Sequence, residues 1–295
     1  MFTIFGIPSV VIFGQLTLGL INGAFYALLS LGLAVIFGLL NVVNFAHGAI
    51  FMVGAFVSWM LLNYIGIGYW GALILAPLIV AGAGAVLERT IIRHVYKLDH
   101  AYGLLLTFGL ALLIEGAFRQ GYGISGQPYP SPAALQGGVN LGFMVLPIYR
   151  GWVLIASIFV CLGTWFLIEK TRFGSYLRAA TENPQLVQAF GVNVPLMITM
   201  TFAFGAGLAG LAGVMAAPIY QVSPNMGASL IITVFAVVVV GSMGSIMGAM
   251  VSGFLLGLVE GITKVVYPEA SNIVIFVVMA LILLVKPNGL FGRSA

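Results

Sequence analysis

Charge is what this chain has least of. Asp, Glu, Lys and Arg together make up 6% of its 295 residues, where a soluble domain carries about 25%. Eleven basic and seven acidic side chains cannot clothe a 31.1 kDa protein in water. The shortage excludes a cytosolic enzyme and a nucleic-acid-binding module. Cysteine is nearly missing too: Cys161 stands alone, which excludes an internal disulfide, a secreted disulfide scaffold and a CxxC zinc site. No lysine follows a glycine, so there is no G-x-x-x-x-G-K-[ST] phosphate loop, and Ser125-Gly126-Gln127 lacks the second glycine of an ATPase signature. The acidic residues form no relay through apolar sequence of the kind a proton-coupled pump uses. Of His47, His94 and His100, only His100 has a carboxylate beside it, Asp99, so no hydrolase or metal-ligand constellation is present.

Apolar residues are abundant. They form 61% of the chain, with a mean hydropathy of +1.16. The runs are long and continuous rather than alternating, which favours helices over a β-barrel. They fall at about 10–38, 48–64, 70–88, 102–118, 151–168, 196–217, 228–241, 246–263 and 272–285. The expected fold is an all-α polytopic membrane protein: one domain over 1–295, a bundle of about nine (eight to ten) transmembrane helices with a cytoplasmic coupling helix. The first run is long enough for one tilted span, a span broken near Asn22, or two short spans. No basic n-region or small-x-small cleavage site marks a signal peptide.

Basic residues orient the chain. Arg89, Arg93 and Lys97, then Lys170, Arg172 and Arg178, then Lys286 and Arg293 fall on one side if nine spans alternate. Arg119, Arg150 and Lys264 fall on the other. Eight against three places the first set, and the C-terminus, in the cytoplasm. The 39 glycines supply small-x-x-x-small faces at Gly19/Gly23, Ala206/Gly210, Ala209/Gly213 and Gly253/Gly257/Gly261, where helix backbones can approach closely or slide. Residues 36–56 and 237–257 share a pattern of apolar run, Gly/Asn-rich break, apolar run.

The longest polar stretch on the basic side is 169–195, EKTRFGSYLRAATENPQLVQAFGVNVP. Asn183 suits an N-cap, Pro184 the first helical position and Gly191 the C′ stop, which predicts a short surface helix over 184–190. A helical turn or two, Ser175 to Thr181, leads into it. Such start and stop signals suit docking onto a partner.

This segment resembles the cytoplasmic coupling loop of ABC importer permeases, whose pattern is Glu-Ala-Ala, three residues and Gly, ending near Ile-x-Leu-Pro. Arg178-Ala179-Ala180, Gly191 and Val194-Pro195 follow it with altered spacing. Residues 40–48, Leu-Asn-Val-Val-Asn-Phe-Ala-His-Gly, resemble the N-terminal signature of branched-chain amino acid permeases of the LivH type; 240–245 and the tail 286–293 resemble further stretches of that family. The resemblance spans essentially the whole chain. It implies a permease subunit in the bacterial inner membrane, without its own ATPase site. It also implies a second homologous permease, two cytoplasmic ATPase subunits that bind ATP and Mg, and a periplasmic or surface binding protein. The implied substrates are Leu, Ile and Val, or other amino acids, amides or urea. No cofactor or metal is expected in this chain.

On the basic loop, Arg178, Glu182, Asn183, Pro184, Gln185 and Gly191 are the expected ATPase-coupling residues, since charged and polar groups there can form charge-assisted bonds with a groove; the plain alternative is a solvated loop with ordinary caps. For the pathway, Asn41, Asn44 and His47 stand three apart, on one face if helical. They line the pathway, or cap broken helix ends whose free backbone groups are costly in lipid. Asn22, one turn from Tyr26, is a substrate contact or inter-helical glue. Glu115 and Glu260 need water, a cation or a partner. An aquaporin-like channel would need two Asn-Pro half-helices, and only Asn183-Pro184 occurs. A secondary transporter would need a coupling ion.

Overall fold

The computed structural model describes residues 3–4, 7–40, 43–96 and 98–292. Each apolar run becomes a helix because lipid offers no partner for backbone N–H and C=O groups, and a helix pairs them internally. The order is α1 (Ser9–Leu40), α2 (Ala46–Met60), α3 (Tyr69–Thr90), α4 (His100–Tyr122), α5 (Ile148–Lys170), α6 (Arg172–Glu182), α7 (Pro184–Ala189), α8 (Val194–Ala216), α9 (Met226–Gly241), α10 (Ile246–Val266) and α11 (Val274–Val285). The protein is an all-α polytopic membrane bundle. Among the described residues, seven helices are long and apolar enough to cross a membrane.

Two expected spans come out short. Helices α9 and α11 have 16 and 12 residues, about 24 and 18 Å at 1.5 Å per residue, against a hydrocarbon core of about 30 Å, whereas α2 continues through a π-helical turn, Leu61–Ile65, to 20 residues. The first run, in contrast, is one helix of 32 residues, unbroken at Asn22. Two small hairpins, β1 (Thr3–Ile4) with β2 (Ile7–Pro8) and β3 (Gly138–Asn140) with β4 (Val145–Pro147), lie outside the bundle helices.

Small residues decide which helices meet. A Cβ on Gly257 would stand 2.4 Å from Gly23 Cα and 2.5 Å from the Gly19 carbonyl, and one on Gly253 2.5 Å from Ala27 Cα. The Gly19/Gly23 face of α1 therefore lies directly on the Gly253/Gly257/Gly261 face of α10. Helix α8 uses its own motif against two neighbours: Gly213 abuts the Phe51 carbonyl of α2, and Gly210 abuts Val80 of α3. Without water to drive apolar surfaces together, such close van der Waals contact is the main source of association.

Helix α2 begins well inside the bundle. His47 Nε2 lies 3.1 Å from the Leu29 carbonyl of α1, eleven residues or about 16 Å before that helix ends. The break before α2 and the break between α9 and α10 both fall where the shared pattern predicts. Gly38, near the end of α1, packs against Gly244 of the second break, where Ser245 Oγ accepts from Gly248 N at 3.0 Å.

Candidate functional site

Residues 171–193 form a helical hairpin at the end of the bundle that carries Arg89, Arg93, Lys170 and Arg172. Helix α6 runs three turns, longer than the turn or two expected, because Gly174 lets it sit on the end of α5. A Cβ there would lie 1.6 Å from the Ile168 carbonyl. Leu177 and Ala180 share the buried face with Gly174, and Leu177 packs with Val35 of α1 and Ile246 of α10 in one cluster. Asn183 then caps α7: its Oδ1 accepts from Leu186 N at 2.9 Å, with Pro184 at the start. Gly191 has φ +84, and Gly191 N and Val192 N donate to the carbonyls of Gln188 and Val187, a Schellman stop. The helix closes at Ala189, one residue before the expected end. Asn193 Oδ1 accepts from Leu196 N at 3.0 Å and starts α8.

The expected coupling residues divide by contact. Glu182, Asn183, Pro184, Gln185 and Gly191 are exposed. Arg178 is also half exposed, but it is tied to α5, with Nη1 donating to the Ile168 carbonyl at 2.9 Å and to Glu169 Oε2 at 3.3 Å. Its charge meets the free carbonyls at the end of α5, where a cation is favoured. Sequence reasoning missed Leu186 and Phe190, one turn apart and exposed by 54% and 80%, while Val187 on the opposite face is buried. The available signal was three apolar residues in a helix too short to bury them all.

A second group missed from the sequence ties this end together. Glu88, fully buried at the end of α3, accepts from Thr199 Oγ1 of α8 at 2.6 Å, from Tyr96 Oη at 3.2 Å and from Arg93 Nε and Nη2 at 3.3 Å each. Arg93 Nη2 also donates to Thr199 Oγ1 at 2.9 Å. Burial, then the Glu88 charge, push the Tyr96 phenol above its ordinary pKa. The α3–α4 connection is thereby fastened to the first turns of α8, just beyond the hairpin.

The expected pathway residues also separate. Asn41 lies outside the described residues. Asn44 is not on a helix face with His47, because α2 starts only at Ala46; the Asn44 Oδ1 accepts from Ala46 N at 3.1 Å and competes with helix continuation. Asn44 and His47 are both buried, and Asn44 Nδ2 and His47 Nδ1 have no hydrogen-bond partner among the described residues. Asn22 is half-buried on α1. Its neighbour Tyr26 donates to Glu260 Oε2 at 2.8 Å, and Glu260 also pairs with Lys264. Glu115, 9% exposed against 5% for Glu260, makes no hydrogen bond or ion pair among the described residues; Arg119 one turn along donates to Asn225 Oδ1 at 2.8 Å and acts on Glu115 only through its charge.

A bundle of apolar helices with breaks inside it, buried polar groups at those breaks and an ordered helical hairpin at its basic end defines a membrane transport protein. Residues 15–283 match the family described as branched-chain amino acid transport system, permease component. The chain belongs to that family. It is 29% identical to the high-affinity branched-chain amino acid transport system permease protein LivH of Escherichia coli (strain K12), with 95% of each chain covered. It is 27% identical to the corresponding protein BraD of Pseudomonas aeruginosa, again over 95% of each. It also matches LivM of Escherichia coli (strain K12), at 27% identity over 91% of this chain and 68% of LivM. No solved structure matches the chain.

Proposed function

We propose that this chain is a transmembrane subunit of an ATP-driven importer for branched-chain or related amino acids in the bacterial inner membrane, its C-terminus cytoplasmic. Two cytoplasmic ATPase subunits bind ATP and Mg and do the nucleotide chemistry. A second, related permease completes the pathway, and a periplasmic or surface protein delivers substrate. The similarity to both LivH and LivM of one organism supports two homologous permeases working together. The excess of Lys and Arg in the loops beside the hairpin supports a cytoplasmic setting.

The observation that carries this reading is the α6–α7 hairpin, capped at both ends of α7 and left with Leu186 and Phe190 uncovered. Exposed apolar side chains on an ordered helix fit a groove in a partner. Glu182, Asn183, Pro184, Gln185 and Gly191 surround that face, while Arg178 holds the hairpin to α5. ATP binding draws the two ATPase subunits together, and α7 moves with its groove. The movement passes through the α5–α6 seat and the α8 start, and turns the pathway from inward to outward opening. Hydrolysis resets it and releases substrate inward.

The test is direct. The chain purified from its native membrane brings with it two ATPase subunits and a second permease. Glu182→Pro or Gly191→Pro in the reconstituted complex abolishes substrate-stimulated ATP hydrolysis. Intact stimulation in those variants, or a hairpin that faces the exterior, defeats the reading.

A further inference from the structure

Helices α2, α4 and α9 line a partly open cavity of about 210 Å³, in whose lining Phe108, Leu112 and Ile232 are each more than half exposed. Its walls are apolar: Phe45 before α2, Phe108 and Ala111 on α4, Ile231 and Ile232 on α9. One ionisable side chain lines it, Glu115, 9% exposed and without a hydrogen bond or ion pair to any described residue. A carboxylate in that setting is costly unless a cation arrives to meet it. Glu260 holds both Tyr26 and Lys264, whereas Arg119, at the same spacing from Glu115 as Lys264 from Glu260, acts on Glu115 through its charge without an ion pair. The first turns of α2 and α9 reach the same cavity at Gly48 and Ala228; neither N-cap residue, Phe45 or Asn225, makes a side-chain cap, though Asn44 already accepts from Ala46 N and His47 N of α2. Helix N-termini favour anions. The backbones of these two turns are in direct contact, since a Cβ on Gly227 would lie 2.1 Å from the Gly48 carbonyl.

We propose that this cavity is a transient binding site for a zwitterionic aliphatic amino acid on its way through the membrane. The ammonium group sits on Glu115, the branched side chain lies among Phe45, Phe108, Ile231 and Ile232, and the carboxylate turns to the first turns of α2 and α9. The three chemical parts of the ligand each find the matching surface in one cavity. The proposal rests on the amino-acid reading given above and adds to it a place and an orientation.

The test uses the assembled transporter, purified and placed in proteoliposomes, with radiolabelled leucine and alanine as probes. Glu115→Gln keeps the shape and removes the charge. It leaves the subunits co-purifying and slows leucine uptake about tenfold or more, the size of one lost charge-assisted contact. Ala111→Leu fills the apolar wall and slows leucine uptake more than alanine uptake. Uptake unchanged in Glu115→Gln overturns the site. Loss of the second permease from Glu115→Gln overturns it as well and makes Glu115 an interface residue. A wild-type assembly that takes up neither amino acid sinks the amino-acid reading itself, a result seen before any variant is compared.

Discussion

The seam between α1 and α10 and the hairpin α6–α7 are opposite solutions to helix contact. In the seam, side chains have been removed: Gly19, Gly23, Gly253 and Gly257 let two backbones touch, and an added Cβ at any of them meets main-chain atoms at 3.1 Å or less. In the hairpin, side chains have been left over: Leu186 on a six-residue helix and Phe190 at its C-cap stand in the open. A seam of that closeness fills its space with fixed atoms and resists change. An uncovered pair awaits a partner. The difference teaches that the stability of this bundle and its work on a partner reside in separate segments, joined by α5 and α8.

That division is broken first at the seam. Gly257→Val forces a branched side chain into Gly23 and costs about 3 kcal/mol; the purified chain melts far below the parent, or is not recovered from the membrane. Gly163→Val in α5, where a Cβ meets nothing within 4 Å, serves as its control and leaves melting in place. Next is the buried cluster behind the hairpin. Glu88→Ala strands Thr199 and Tyr96 and loosens the half-exposed Arg93, for about 2 kcal/mol, read as a lower melting temperature and faster amide exchange at the start of α8. Smaller still are the caps of α7. Asn183→Ala and Gly191→Ala each cost about 1 kcal/mol, and amide exchange over 184–192 rises while the rest of the bundle is unchanged. Smallest for folding is Phe190→Ser, which shifts stability by less than about 0.5 kcal/mol. It nevertheless lowers the amount of ATPase subunit that co-purifies. A Phe190→Ser chain that retains full ATPase binding and coupling removes the functional half of the comparison.

Much of the local structure was legible. Runs of about 20 apolar residues announce helices because lipid permits little else. Asn183, Pro184 and Gly191 announced α7 because caps act over three or four residues and carry their own geometry. The small-residue motifs announced close helix faces, though not which face meets which. Spacing alone was not enough at two places. Periodicity placed Asn44 and His47 on one face, but the Asn44 side chain bonds Ala46 N and delays the helix. The loop pattern expects Arg178 at the docking face; its bonds to Ile168 and Glu169, made while half of the side chain stays exposed, were not legible there.

By itself, then, the amino-acid sequence determined that this chain lives in a membrane, where its helices lie, how α7 begins and ends, and to which family it belongs. All of these depend on residues within a turn or a span of one another. Tertiary structure alone decided that Glu88 meets Thr199, 111 positions away, and that Tyr26 meets Glu260, 234 away. It alone set Glu115 in a cavity wall without an ion pair among the described residues, and left Phe190 uncovered. Such pairings are set by which helices pack together, and in lipid that choice depends on the fit of whole surfaces rather than on any local pattern.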